Sequence, residues 1–102
     1  MIFVINEENP QRRLIEKACE IVGEGGVIIY PTDTVYAYGC DIRDKHAIEK
    51  IYRIKKRDQK KPLLILISDF KMAKKYTAIS PTQSKFLKQV WAENQPPTTV
   101  IL

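Results

Sequence analysis

One histidine and two cysteines in 102 residues leave little material for metal or thiol chemistry. Cys19 and Cys40 form no C-x-x-C pair and lie in apolar contexts, so the spacing of a metal site is missing and both read as buried free thiols. His46 has no cysteine or carboxylate at ligand spacing. It reads as a solvated residue in the first turn of a helix and gives a histidine-based triad little support. No stretch approaches the roughly eighteen consecutive apolar residues of a membrane span. The N-terminus, MIFVINEEN, turns acidic before it could serve as a signal-peptide core, so the expectation is a cytoplasmic protein without a membrane partner. Glycine is scarce, and three of the four cluster as GEGG at 23–26. No Gly-Lys-Ser/Thr follows and the segment leads into a strand pattern, which argues against a phosphate loop and for a helix-to-strand turn at Gly25 and Gly26.

What is present fits one soluble globular domain with a modest core: 44% of the residues are hydrophobic and 28% charged. The formal charge of +5 favours anionic partners such as nucleotide, nucleic acid or phosphate. Much of that charge is local, since six of the nine residues of RIKKRDQKK, Arg53 to Lys61, are basic and only Asp58 opposes them.

Periodicity predicts alternating strands and helices. Ile2 to Ile5 reads as a short strand, Asn9-Pro10 as the N-cap and first residue of a helix, and Leu14, Ile15, Ala18, Cys19 and Val22 as its apolar stripe, with Gly23 as the stop. Val27 to Tyr30 reads as a fully buried strand and Val35 to Cys40 as a second extended segment. Asp44 is placed to cap a helix whose Ala47, Ile48, Ile51 and Tyr52 face a core. Leu63 to Ile67 is a further apolar strand, Ser68 a cap for a short helix carrying Phe70, Ala73 and Tyr76, and Ser80-Pro81 the opening of a helix with Phe86, Leu87, Val90 and Trp91. Thr98 to Leu102 is a strand pattern that stops without a turn, cap or polar tail, which points to the front part of a larger domain. The fold class is α/β, with mixed strand directions because Thr32-Asp-Thr34 is too short for a crossover.

Two places hold residues that chemistry could use. Thr32, Asp33 and Thr34 interrupt an apolar run where a tight connection would usually recruit Gly or Asn. They read either as an Asx-turn closing a hairpin or as a ligand site, and the residues alone leave both open. Tyr36 and Tyr38 share one face of the next strand, as core packing or as a pocket wall. Lys55, Lys56, Arg57, Lys60 and Lys61 either complement a helix dipole on a solvated face or hold phosphate at the rim of a sheet, the second reading being the stronger.

Taken in order and spacing, Tyr30-Pro-Thr-Asp-Thr-Val-Tyr36, Ala47-Ile-Glu-Lys-Ile-Tyr-Arg-Ile-Lys-Lys-Arg57 and Lys61-Pro-Leu63 resemble the YrdC/YciO family from about Gly25 to Ser80, and more loosely to Leu102. The resemblance implies a YrdC-like twisted mixed α/β sheet with flanking helices, of which residues 1–102 form a single domain's N-terminal part. It also implies synthesis of threonylcarbamoyl-AMP from L-threonine, bicarbonate and ATP, for the threonylcarbamoyl modification of tRNA adenosine. Thr34 would then contact L-threonine, helped by Thr32 and Tyr36. Lys55, Arg57 and Lys61 would hold the ATP phosphates, with Mg2+ arriving as part of the ATP complex and no tightly bound cofactor. No nucleophilic side chain is implied, since catalysis would rest on positioning and electrostatics.

Leu66 stands where the synthase branch carries a threonine-contacting His, which places the chain nearer the YciO-like branch. Tyr-Gly-Leu-Gly has become Tyr36-Ala-Tyr-Gly39, and Lys-Gly-Arg-Pro has become Lys55-Lys-Arg-Asp58. The family's Trp-Pro-Gly-Pro segment is replaced by Trp91 and AENQPP, and the later Ser-x-Asn motif is absent. The same resemblance supports a second reading, a module that binds tRNA or double-stranded RNA without turnover.

Overall fold

Helix α1 (Arg12–Gly23) begins two residues later than Asn9-Pro10 predicts. The Asn6 side chain accepts the backbone N–H groups of Glu8 and Asn9 at 3.0 and 2.9 Å, which keeps that stretch in a turn. Gln11 takes the N-cap position, and its side chain accepts from the Asn6 N–H rather than from its own helix. The protein is described by a computed structural model covering residues 1–93, 95 and 98–102, so Asn94, Pro96 and Pro97 of the AENQPP stretch lie outside the described residues. The described chain divides into two units, Met1–Leu63 and Leu64–Leu102.

In the first unit, β1 (Ile28–Pro31) and β2 (Tyr36–Gly39) form an antiparallel hairpin that pairs Ile28 with Gly39 and Pro31 with Tyr36. This register sets Ile28, Tyr30, Ala37 and Gly39 on one half-buried face and Ile29, Pro31, Tyr36 and Tyr38 on an exposed one. The strand at 28–31 is therefore not fully buried as its apolar run predicts, and Ile29 is 63% exposed. Helix α1 packs against β1, and the two-stranded sheet has an open second face. Gly39 belongs to this packing, because a Cβ there would stand 2.7 Å from Cε1 of Tyr30.

Helix α2 (Lys45–Ile54) follows the hairpin, with Asp44 as N-cap accepting the Ala47 N–H at 3.0 Å. Its inward stripe matches the periodicity, with Ala47 and Ile51 buried and Ile48 and Tyr52 half-buried. On α1 the stripe is narrower than predicted: Leu14, Ala18, Ile21 and Val22 are half-buried, whereas Ile15 and Cys19, one turn apart, fall outside it. Cys19 is consequently exposed and Cys40 half-buried, so neither thiol is a fully buried one, and both are free.

The second unit contains α3 (Phe70–Tyr76) and α4 (Pro81–Val90). Asp69 rather than Ser68 caps α3, accepting the Met72 N–H at 2.7 Å, while the Ser68 hydroxyl lies 3.6 Å from the Met72 sulfur. Ser80 and Gln83 make a reciprocal capping box at α4 with Pro81 in the first turn, as Ser-Pro predicts. Ala73 and Leu87 are buried, but Phe86 remains 55% exposed.

Ile2 to Ile5, Leu63 to Ile67 and Thr98 to Leu102 form no strand among the described residues. An apolar run supplies side chains for a sheet, but a strand also needs a neighbour's backbone, and β1 and β2 pair only with each other. No helix is long and apolar enough to cross a membrane among the described residues.

Candidate functional site

The Thr-Asp-Thr break lies at the tip of the hairpin. Its turn is closed by Thr32 rather than by Asp33, so the structure shows a Ser/Thr-type turn in place of the Asx-turn. The Thr32 hydroxyl accepts the N–H of Val35 at 3.1 Å and of Thr34 at 3.3 Å and donates to the Val35 carbonyl, while the Thr32 N–H reaches the same carbonyl at 3.1 Å. That hydroxyl is fully occupied within the turn. The Thr34 hydroxyl, 3.4 Å from it, and the Asp33 carboxylate make no other hydrogen bond or ion pair among the described residues. Tyr36 and Tyr38 share the open face of β2 and are 73% and 39% exposed, a surface rather than core packing.

The basic run is built by the way α2 ends. Lys55 is the C-cap, the Lys56 N–H donates to the Arg53 carbonyl at 3.2 Å, and the Arg57 N–H donates to the Tyr52 carbonyl at 2.9 Å. This pair of bonds is a Schellman closure, which requires a left-handed residue at its turning position. Lys56 takes that position with φ 49°, the one non-glycine residue with positive φ among those described. Beyond it Asp58 makes a tight turn, its side chain accepting the Lys60 N–H at 2.9 Å and its carbonyl the Lys61 N–H at 3.0 Å. Two further bonds draw the loop back: the Tyr52 hydroxyl donates to the Lys61 carbonyl, and the Arg57 guanidinium donates to the Pro62 carbonyl at 3.3 Å. Lys55, Lys56, Arg57, Lys60 and Lys61 are all exposed, and none joins an ion pair among the described residues. A short, hydrogen-bonded loop thus holds five cations, none of them in an ion pair with a carboxylate among the described residues.

Between hairpin and α2, Asp41 accepts from the Arg43 backbone N–H at 2.9 Å and from its guanidinium at 3.1 and 2.9 Å. These bonds, the side-chain ones first, hold the Asp41 carboxyl down at about 2. Burial, reinforced by the charges of Asp44 and Asp41, pushes the Cys40 thiol up, which makes it a poor nucleophile. His46 is solvated at the start of α2, its side chain 91% exposed and 3.9 Å from Glu49.

The structure gathers Thr32, Thr34 and Tyr36 in and beside one turn, and Lys55, Arg57 and Lys61 on one loop, both within the first unit. No hydrogen bond or ion pair links the turn to the loop among the described residues. A hollow of about 340 Å³ lies elsewhere, between Phe3 and the Arg13–Glu20 side of α1. Leu66 belongs to the second unit and is 74% exposed. Sequence reasoning counted Lys56 among the cations and Tyr52 among the core-facing residues, and missed the left-handed turn of the one and the loop-closing hydroxyl of the other. The turn at Lys56 follows from the end of α2 at Ile54, two residues before it, whereas Tyr52 reads as a core residue until its hydroxyl is seen reaching Lys61.

A family model described as "Telomere recombination", covering Sua5, YciO and YrdC, matches residues 20–102. The chain belongs to the Sua5/YciO/YrdC family. An uncharacterised Haemophilus influenzae protein is 42% identical over 86 residues, covering 84% of this chain and 42% of the relative. Escherichia coli YciO is 41% identical over the same shares. A threonylcarbamoyl-AMP synthase of Hydrogenovibrio crunogenus is 31% identical, covering 85% of this chain and 48% of the relative. The crystal structure of E. coli YciO superposes with a TM-score of 0.72 over 79% of this chain and 39% of that one, which establishes the YrdC-type α/β fold. The chain spans less than half the length of these curated relatives.

Proposed function

We propose that this chain forms the phosphate-binding and threonine-facing part of a YciO-like relative of threonylcarbamoyl-AMP synthase. The observation that carries the reading is the closed loop from Lys55 to Pro62, whose cations are exposed and enter no ion pair among the described residues. Lys55, Arg57 and Lys61 would hold the triphosphate of ATP, with Mg2+ entering on the nucleotide. Among the described residues no three His, Cys, Asp or Glu side chains gather as a metal site of the protein's own.

Thr34, whose hydroxyl is not committed as that of Thr32 is, would contact L-threonine with Tyr36 beside it, and Leu66 would take the place of the synthase histidine. The amino group of L-threonine and bicarbonate form a carbamate with loss of water, and one carbamate oxygen attacks the α-phosphorus of ATP while the bond to pyrophosphate breaks and pyrophosphate leaves. Nucleophile and electrophile are both anions, so fixed positive charge offsets their repulsion and that of the transition state. The side chains act by position and charge, with none forming a covalent intermediate.

The test is calorimetry of the intact protein with ATP and magnesium, with and without L-threonine, repeated for Arg57→Ala. A lost charge-assisted bond to phosphate is worth about 1.5–3 kcal/mol, so ATP affinity should fall about tenfold or more. Unchanged affinity removes Arg57 from the site.

A second reading, binding of tRNA or double-stranded RNA without turnover, draws on the second unit. Lys71, Lys74, Lys75, Lys85 and Lys88 on α3 and α4 enter no ion pair among the described residues, and the ammonium groups of Lys74 and Lys88 lie 4.9 and 5.5 Å from the centroid of the Phe70 ring. Binding of this kind weakens steeply with salt and is indifferent to L-threonine, which separates it from the first.

A further inference from the structure

We propose that Tyr52 is the positioning residue of the cationic loop, a role that rests on the phosphate-binding reading above. Tyr52 grips the loop at both limbs. Its carbonyl accepts the Arg57 N–H at 2.9 Å, and its hydroxyl donates to the carbonyl of Lys61. The two contacts lie four residues apart along the loop, and between them the chain carries Arg57, Lys60 and Lys61 with Asp58 as the one acidic residue. Cations this close repel one another, so the loop would spread if nothing closed it. Two other ties run from side chain to backbone: the Asp58 carboxylate accepts the Lys60 N–H at 2.9 Å within the turn, and the Arg57 guanidinium donates to the Pro62 carbonyl at 3.3 Å, a bond that an Arg57 engaged by phosphate would have to give up. The Tyr52 side chain stands on the last turns of a helix anchored by buried Ile51, and its hydroxyl proton is given to the Lys61 carbonyl. It can therefore keep Lys61 in place while Arg57 changes partner.

Tyr52→Phe keeps the half-buried ring and deletes the tie alone. In the intact protein, titrations with inorganic triphosphate and with ATP and magnesium should show about fivefold weaker binding of both, the worth of one neutral hydrogen bond. Hydrogen exchange should quicken at 57–61, while the thermal midpoint and the exchange of α2 stay as they were. A tyrosine that merely fills the core leaves triphosphate binding and exchange of the loop unchanged when only its hydroxyl is removed, and that result overturns the proposal. Arg57→Ala, run alongside, separates the two layers of the argument. If it weakens triphosphate binding and Tyr52→Phe does not, the positioning role fails and the phosphate site stands. If neither variant changes it, or the wild-type protein binds no triphosphate, both fall.

Discussion

Helices α1 and α2 end in the same hydrogen-bond pattern with opposite residues at the turning position. At the end of α1, Gly25 donates to Val22 at 3.1 Å and Gly26 to Ile21 at 2.9 Å, with Gly25 at φ 88°. At the end of α2, Lys56 and Arg57 make the equivalent bonds to Arg53 and Tyr52. Glycine enters the left-handed region without steric cost, whereas a residue with a Cβ is disfavoured there by about 1–2 kcal/mol. The first helix thus ends where only backbone shape matters. The second places a residue with a Cβ in that region, at a steric cost that glycine would avoid. The contrast also gives physical sense to the Lys-Gly-Arg pattern of the resembling family, in which glycine occupies the position of Lys56.

The largest effect should come from making the two ends alike in the wrong direction. Gly25→Lys forces a side chain into φ 88° and sets its Cβ 2.8 Å from the Asp44 carboxylate, which caps α2. Chemical denaturation should show a loss of about 2 kcal/mol or more. The reverse exchange, Lys56→Gly, should stabilise by about 1 kcal/mol by the same measurement without tightening triphosphate binding. A destabilised Lys56→Gly variant would show that the lysine itself makes favourable contacts and would break the comparison.

The smallest effect concerns the connection between β2 and α2, which is held by an ion pair instead of a Schellman closure. Asp41 titrates at about 2 in the folded protein, below the roughly 3.9 of an unfolded aspartate. A depressed carboxyl contributes its stability in full above about pH 4 and loses it as pH falls toward 2. Thermal midpoints between pH 5 and pH 2 should therefore decline slightly less steeply for Asp41→Asn than for the wild-type chain, and the two helix ends should be indifferent to that substitution.

Legibility in the sequence followed the range of the interactions involved. Asp44, Ser80-Pro81 and the stripe of α2 were readable because capping and helical periodicity are settled within a few residues. The three unmade strands were not, since pairing depends on a partner distant in sequence. At Asp69 and Gln11 the helix starts slipped because neighbouring polar side chains compete for the same N–H groups. The cationic loop was visible as composition, yet its closure by Tyr52 was hidden, for nothing in a stripe of apolar spacing tells where a hydroxyl will point. At the hairpin tip the residues left turn and ligand both open, and the geometry shows the turn: Thr32 closes it, while the Thr34 hydroxyl takes no part in the bonds to Val35.

The single tryptophan is confined to the second unit, where the Trp91 indole donates to the Thr98 carbonyl at 3.0 Å, while Tyr30, Tyr36, Tyr38 and Tyr52 all belong to the first. Nature has in effect dyed the halves differently. Red-edge excitation of the indole observes one of them in isolation, and phenol absorbance is weighted toward the other, so loss of order in either can be timed without attaching a label.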